Sequence, residues 1–367
     1  MRIKDIRASA HELPIHYPLI DGPRGKRAFA IAEVETEDGL VGYGLAASFL
    51  TTAIPTILRR DVLPAVQGLD ARDLEAIHHR LKKVLSNRGL MTGVNLQALS
   101  CLDIALWDLI GKQAGRSVAQ LLGGFRAHAP VYWTYGFGIY DIDQLIELAK
   151  RLVAEGNRCL KVLVATAKEG WRGDVERVRR VRAAVGDGVE LAIDANEGFE
   201  LGEAMALCRA LEDLGLAWFE DPLRNNDPRD LAQLRRNTSV PLAAGQMDGH
   251  SARFRQLLEH DAIDVFMPNV LFNGGVSETR RVAYLAQIYN RPLVDAGGGA
   301  VYDLHHIAAF ENGRYVECHF GVESTDRVLY KNAPEAENGI MRVPDQPGFG
   351  LEFDPDVLKD SRLATAA

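Results

Sequence analysis

VELAIDANEG (residues 189–198), GLAWFEDP (215–222) and VPLAAGQ (240–246) are three apolar runs, each stopping on a polar side chain: Asp194, Glu220 and Gln246. The three residues are spaced 26 apart in both steps, the span that one strand, one helix and two short loops consume. In a parallel barrel the carboxyl ends of successive strands converge on one mouth, where such folds keep their chemistry. Two carboxylates and an amide then face one point. That is the pattern of a divalent-cation site whose third ligand is altered.

The same alternation extends in both directions. VYWTYGFG (131–138) is a strand entering a glycine-marked loop, and QLIELAKRLVAEG after it places Leu145, Leu148, Leu152 and Val153 on one helical face. LKVLV (160–164) follows, and beyond Gln246 come AIDVFMP, PLVDA and YVECHF (315–320), each separated from the next by a helical segment. The strands fall near residues 132, 161, 191, 217, 242, 265, 293 and 317. Strands alternating with helices of this length indicate a parallel sheet, and eight of them favour closure into a barrel.

The first stretch of the chain has a different pattern. FAIAEVETEDGLVGYG is two strand-like runs joined at Asp38-Gly39, a strong hairpin signal. HYPLIDGPRGKR (16–27) is a charged surface loop before it. SNRGLMTG (86–93) is a polar loop preceding a helix whose apolar stripe runs through Leu99, Leu102, Leu106 and Leu109. These residues make an α+β unit over 1–125, bounded by the turn-rich GGFRAHAP; the barrel spans 126–322. The segment 323–367 is irregular, and its Ile340, Val343, Phe349, Leu351 and Phe353 point to packing back on the first unit.

The net charge of −8 supplies no basic face for a phosphate backbone, which argues against a nucleic-acid binder. Cys101, Cys159, Cys208 and Cys318 are far apart among apolar neighbours, and read as buried free thiols in a reducing compartment. MRIKDIRASAHELP has no apolar core for a signal peptide, so the expected location is cytoplasmic, with no membrane partner.

The chain resembles the mandelate racemase and muconate lactonizing enzyme branch of the enolase superfamily, as a divergent member. The likeness is carried by EDGLVGYG, by SCLDIALWDLIGKQAGRSVAQLLGG, by DAN at 194–196 and by WFEDP at 218–222. AAGQ, MPNVLFNGG and PDQPGFG extend it over nearly the whole length. The resemblance implies a modified (β/α)7β barrel, similar to the TIM barrel, with an N-terminal α+β capping domain whose loops cover the mouth. It also implies a magnesium ion that holds a substrate carboxylate while the proton alpha to it is removed. Assembly into dimers or octamers is the family habit.

On this sequence the family's third-strand aspartate matches Asp194 and its fourth-strand glutamate matches Glu220, whereas the fifth-strand acid falls on Gln246. A K-x-K pair on the second strand falls on Lys161 and Leu163, so one lysine is absent. The sixth-strand aspartate falls on Asn269, and the seventh-strand histidine falls near Gly297. The fold is kept while the catalytic set is mostly replaced.

With two negative ligands a hard cation binds more weakly than with three, so the expected cofactor is Mg2+ held at reduced affinity, with loss of the ion and hydrogen-bonded acids as the alternative. Lys161 is the first candidate base, its pKa expected to be lowered by burial and by a neighbouring ion. Glu317, His250 and Asp295 are further catalytic candidates, and His319 shares a strand face with Glu317. Tyr135, Asn196, Asn269 and the capping-loop residues His16, Tyr17 and Arg24 are candidate contacts to a small carboxylate substrate. The leading expectation is a metal-dependent dehydratase of a hydroxy acid or acid sugar, since elimination needs one base and one acid. A racemase or epimerase, a metal-independent enzyme, and a binding or regulatory relative without turnover are the alternatives. A lysine bridged between Asp194 and Glu220 would remove the anchor of the metal mechanism.

Overall fold

The computed structural model describes residues 1–47 and 49–364. Strands β1 (Ile3–Pro14), β2 (Lys26–Thr36) and β3 (Val41–Ala47) form an antiparallel sheet in the order β1-β2-β3, with the β2–β3 turn at Asp38-Gly39 as the sequence indicates. Helix Gly93–Ala114 lies across this sheet. The glycines of VGYG explain how closely it lies: a Cβ on Gly42 or Gly44 would strike the carbonyls of Ala105 and Cys101. That helix is long and apolar enough to cross a membrane, but 78% of the apolar window is buried inside the fold, which accounts for its composition.

Eight parallel strands follow: β4 (His128–Gly136), β5 (Cys159–Leu163), β6 (Glu190–Asp194), β7 (Phe219–Glu220), β8 (Leu242–Ala244), β9 (Val265–Phe266), β10 (Leu293–Val294) and β11 (Gly313–His319). They pair in sequence order, and β11 closes on β4 with Glu317 opposite Tyr132 and His319 opposite Thr134. The barrel expected from the alternating pattern is therefore closed.

Strand alternation sorts the side chains into two layers. Leu160, Val162, Leu191, Ile193 and Phe219 join the shell packed against the helices. Tyr132, Cys159, Ala192, Trp218, Ala243, Val265, Met267, Val294 and Ala296 form a separate buried cluster that fills the lumen. Large rings beside alanines plug the interior, and the cavity at the strands' carboxyl ends lies above them.

Polar contacts fix the cap on the barrel. Asp103 in the cap helix accepts from the Ser277 backbone N–H at 2.9 Å and from its hydroxyl at 2.6 Å, and His78 contacts the same carboxylate at 2.6 Å. Gly275 of the NGG segment sits at φ +83, where a Cβ would overlap the Asp103 carboxylate. The glycine serves this close approach between domains.

The C-terminal segment is more regular than its composition suggests. Ala336–Glu337 and Ile340–Arg342 form a short hairpin, β12 and β13, whose second strand adds antiparallel to β4. Its turn is Asn338-Gly339, both at positive φ, a two-residue hairpin signal present in the sequence. Beyond it, the Phe349 N–H donates to Asp108 of the cap helix at 3.1 Å. All four cysteines are free and buried.

Candidate active site

Lys161 enters the lumen from β5 and is 1% exposed. Its Nζ lies 2.6 Å from Glu220, 3.1 Å from Asp194 and 3.1 Å from Glu317. Three strands thus deliver carboxylates to one ammonium, because β6 and β7 each finish with an inward-facing acid and β11 carries Glu317 two residues before its end. Asp194 and Glu220 do meet in space, but Lys161 is bridged between them, so in this arrangement the point expected to anchor a metal ion is held by the ammonium instead.

Each acid is held differently. Asp194 accepts the Asn196 backbone N–H at 2.8 Å on one oxygen and Lys161 on the other. Glu317 accepts from the Thr134 hydroxyl and, at 2.7 Å, from the Gly298 backbone N–H. Burial pushes the Glu317 carboxyl up, but Lys161, His319 and the hydrogen bonds from Thr134 and Lys161 outweigh it and hold it at about 2. Glu220 goes the other way: burial, then the neighbouring Asp194 charge, push it up to about 8. One Glu220 oxygen accepts from Lys161, and its Oε1 is buried with no hydrogen-bond partner.

The expected depression of the Lys161 pKa is reversed. Burial alone would lower it, but the charges of Glu220, Glu317 and Asp194 raise it well above an ordinary lysine. In this arrangement Lys161 is an ammonium, not a free amine.

Above the cluster lies a cavity of about 370 Å³ lined by Lys161, Leu163, Asp194, Asn196, Gln246, Phe272, Gly297, Gly298, Glu317 and His319, with Thr134 on one wall and Lys26 and Arg27 from the cap. His319 faces it while its Nδ1 accepts the Val322 N–H at 3.4 Å, which leaves the proton of the neutral ring on Nε2. Burial pushes this imidazole below its ordinary pKa, with Lys161 and Arg27 adding to the effect against Glu317. The DAGGGA loop forms the opposite wall. A Cβ on Gly297, at φ +84, would come within 3.1 Å of Asn269 Nδ2 and Gln246 Oε1, so the glycine leaves the cavity wide where a side chain would narrow it.

Several residues singled out from the sequence lie elsewhere. Tyr135 points outward into the shell, because Tyr132 and Thr134 take the inward positions on β4. His250 caps helix Ser251–Glu259, accepting the Ala252 N–H at 3.2 Å, and lines a different cavity between cap and barrel with His78 and Glu278. Asp295 is buried behind Glu317, accepting that residue's backbone N–H at 3.2 Å. Asn269 is buried behind the glycine wall, its amide accepting the Leu271 N–H at 2.7 Å and donating to the Ala296 carbonyl. His16 and Tyr17 line a neighbouring cavity with Trp133 and Glu323. Arg24 is exposed on the capping loop. The cap reaches the site through Lys26 and Arg27 instead. Thr134 and Gly298 were not singled out at all, and strand parity alone would have flagged Thr134.

Residues 3–123 match the family described as mandelate racemase / muconate lactonizing enzyme, N-terminal domain, and residues 144–357 match the enolase C-terminal domain-like family. The chain belongs to this branch of the enolase superfamily. It is 29% identical over 335 residues to the arabinonate dehydratase of Saccharolobus solfataricus, covering 89% of each chain. It is 30% identical over 358 residues to the D-galactarolactone cycloisomerase of Agrobacterium fabrum, covering 92% of each. A racemase from Streptomyces coelicolor with bound magnesium superposes with a TM-score of 0.90 at 26% identity, over 98% of this chain and 100% of that one. Relatives of this enolase-superfamily chain thus span dehydratases, cycloisomerases and racemases.

Do these residues suit a magnesium ion? The donor chemistry does: Asp194 and Glu220 are buried carboxylates, and Gln246 brings an amide oxygen to the same cavity. The unpartnered Glu220 Oε1 and the excess of three carboxylates over one ammonium leave negative charge for a further cation. Asp194, Glu220 and Gln246 are the residues that would hold it. The space between the two acids is shared with Lys161.

Proposed function

We propose that this chain is an acid-sugar dehydratase: it removes the proton alpha to the carboxylate of a small polyhydroxy acid and expels the neighbouring hydroxyl as water. The product is a 2-keto acid, reached when the resulting enol takes up a proton. One observation carries the reading. A single cavity gathers Lys161 with its carboxylates on the floor and His319, a neutral ring with its proton on Nε2, on the wall.

In this proposal Lys161, an ammonium at rest, first passes a proton across the 2.6 Å contact to Glu220 and then takes the alpha proton as the free amine. His319, neutral at rest, gives a proton to the departing hydroxyl from its imidazolium form and returns to the neutral ring. Glu317, fixed by Thr134 and Gly298, positions the ammonium. A bound Mg2+ would supply positive charge against the substrate carboxylate, and Lys26 and Arg27 close the cavity from above. Asn196 and Gln246 provide amides for the substrate hydroxyls.

Racemisation needs an acid-base group on each face of the alpha carbon. Leu163 occupies the place of a second lysine, and Asn269 and Gly297 offer no titratable pair opposite. That one-sided set favours elimination. The relatives named as dehydratases act on compounds of this class, which supports the substrate class.

The test is incubation with a panel of aldonates and aldarates in D2O with Mg2+, followed by proton NMR. A 2-keto product with no deuterium at C2 of unreacted substrate is expected. Deuterium at C2 with no keto product would replace this reading with a racemase.

A further inference from the structure

We infer that Lys161 is a tethered cation which a divalent ion must displace from Asp194 and Glu220, so that this lysine sets the chain's metal affinity. The inference rests on the metal-holding role given above to those two acids, and concerns binding alone. Oxygen ligands approach Mg2+ at about 2.0–2.1 Å, and the oxygens of Asp194 and Glu220 that converge already hold Nζ at 3.1 and 2.6 Å. An ion bridging them falls on the ammonium, and two cations do not share that point.

The surroundings decide which group yields. Asp194 is pinned by the Asn196 N–H and keeps its other oxygen turned inward. Glu220 Oε1 has no protein partner although the residue is 0% exposed, so this acid has a lone pair free for an incoming cation. Glu317 stands 3.1 Å from Nζ and is fixed by Thr134 and Gly298. Lys161 therefore has a carboxylate to retreat to, and remains paired after leaving the other two. Gln246 makes the exchange harder than an acid there would, since an amide attracts the ion without adding charge.

The experiment is calorimetric titration of Mg2+ into the chelator-treated protein, without substrate, for the wild type, Lys161→Met and Lys161→Arg. With the competing charge removed, Lys161→Met should bind Mg2+ roughly tenfold or more tightly than wild type, whereas Lys161→Arg should bind no better than wild type. Equal or weaker binding by a folded Lys161→Met, or no binding by any of the three, overturns the inference. Mn2+-soaked wild-type crystals decide the matter should the methionine variant not fold. The expected anomalous peak lies between Asp194 and Glu220, with Nζ moved beyond about 4 Å of both acids toward Glu317. A peak there with Nζ unmoved, or no peak there at all, would refute displacement. Turnover is measured apart from this, so a chain that exchanges cations but converts no acid sugar sinks the dehydratase reading and leaves this inference standing.

Discussion

Replacing Lys161 by methionine keeps the unbranched chain one heavy atom shorter and removes the charge that three buried acids share. Nζ lies 2.6 to 3.1 Å from Glu220, Asp194 and Glu317, and both Lys161 and Glu220 are at most 1% exposed. Removing one partner of a buried ion pair costs about 3–5 kcal/mol, because the other is left uncompensated. Unfolding entropy of about 2.1 cal/mol/K per residue over 367 residues converts that loss to a fall in Tm of about 4–6 °C. The deficit should depend on pH with a definite sign. Without the ammonium the buried Glu317 carboxyl loses the charge that holds it low, and burial then raises its folded-state pKa above the unfolded value, so the stability it contributes is present at low pH and lost as pH rises. Thermal unfolding followed by circular dichroism from pH 8 to pH 5 should show the variant approaching wild type as pH falls. A variant with wild-type Tm and a parallel pH profile would show that the acids do not depend on Lys161.

Other expectations follow from the same structure. His305 accepts the Ala119 N–H and contacts the Phe349 carbonyl, and burial holds both it and His306 at about 4. Each contributes stability that is present above the unfolded pKa of 6.5 and lost as pH falls toward 4, about 2 kcal/mol apiece by pH 5, visible as a lower urea midpoint at pH 5 than at pH 7. Gln246→Glu adds a third negative oxygen donor and should tighten Mg2+ binding by about an order of magnitude or more, read by calorimetry. His319→Gln, which removes the proposed acid, should lower kcat by about 10²–10⁴, whereas Tyr135→Phe should leave it within about twofold, since that ring faces away from the cavity.

The barrel was legible because its strands are short apolar runs at nearly even spacing, and a closed parallel sheet leaves few other arrangements for eight of them. Strand ends were legible too: Asp194 and Glu220 stand where an apolar run stops, and the structure brings them together. Direction around each strand was harder. Tyr135 and Thr134 are neighbours in sequence, and alternation along β4 puts Thr134 with Tyr132 on the inward face and Tyr135 in the shell. His250 misled for a different reason. It follows Gln246 by only four residues, but Gly249 at φ +100 turns the chain out to a helix start. The charge state of Lys161 was least accessible. Burial was foreseeable, but the charges of Glu220, of Glu317 from a strand more than 150 residues away, and of Asp194 together convert a lowered pKa into a raised one.

The most direct measurement is a crystal structure of the protein with Mg2+ and a 3-deoxy aldonate, which can bind but has no hydroxyl to expel. The alpha carbon should lie within about 3–3.5 Å of Lys161 Nζ, with C3 turned toward His319. An aldonate seated instead beside His16 and Tyr17, or beside His250, would contradict the assignment of the chemistry to the Lys161 cavity.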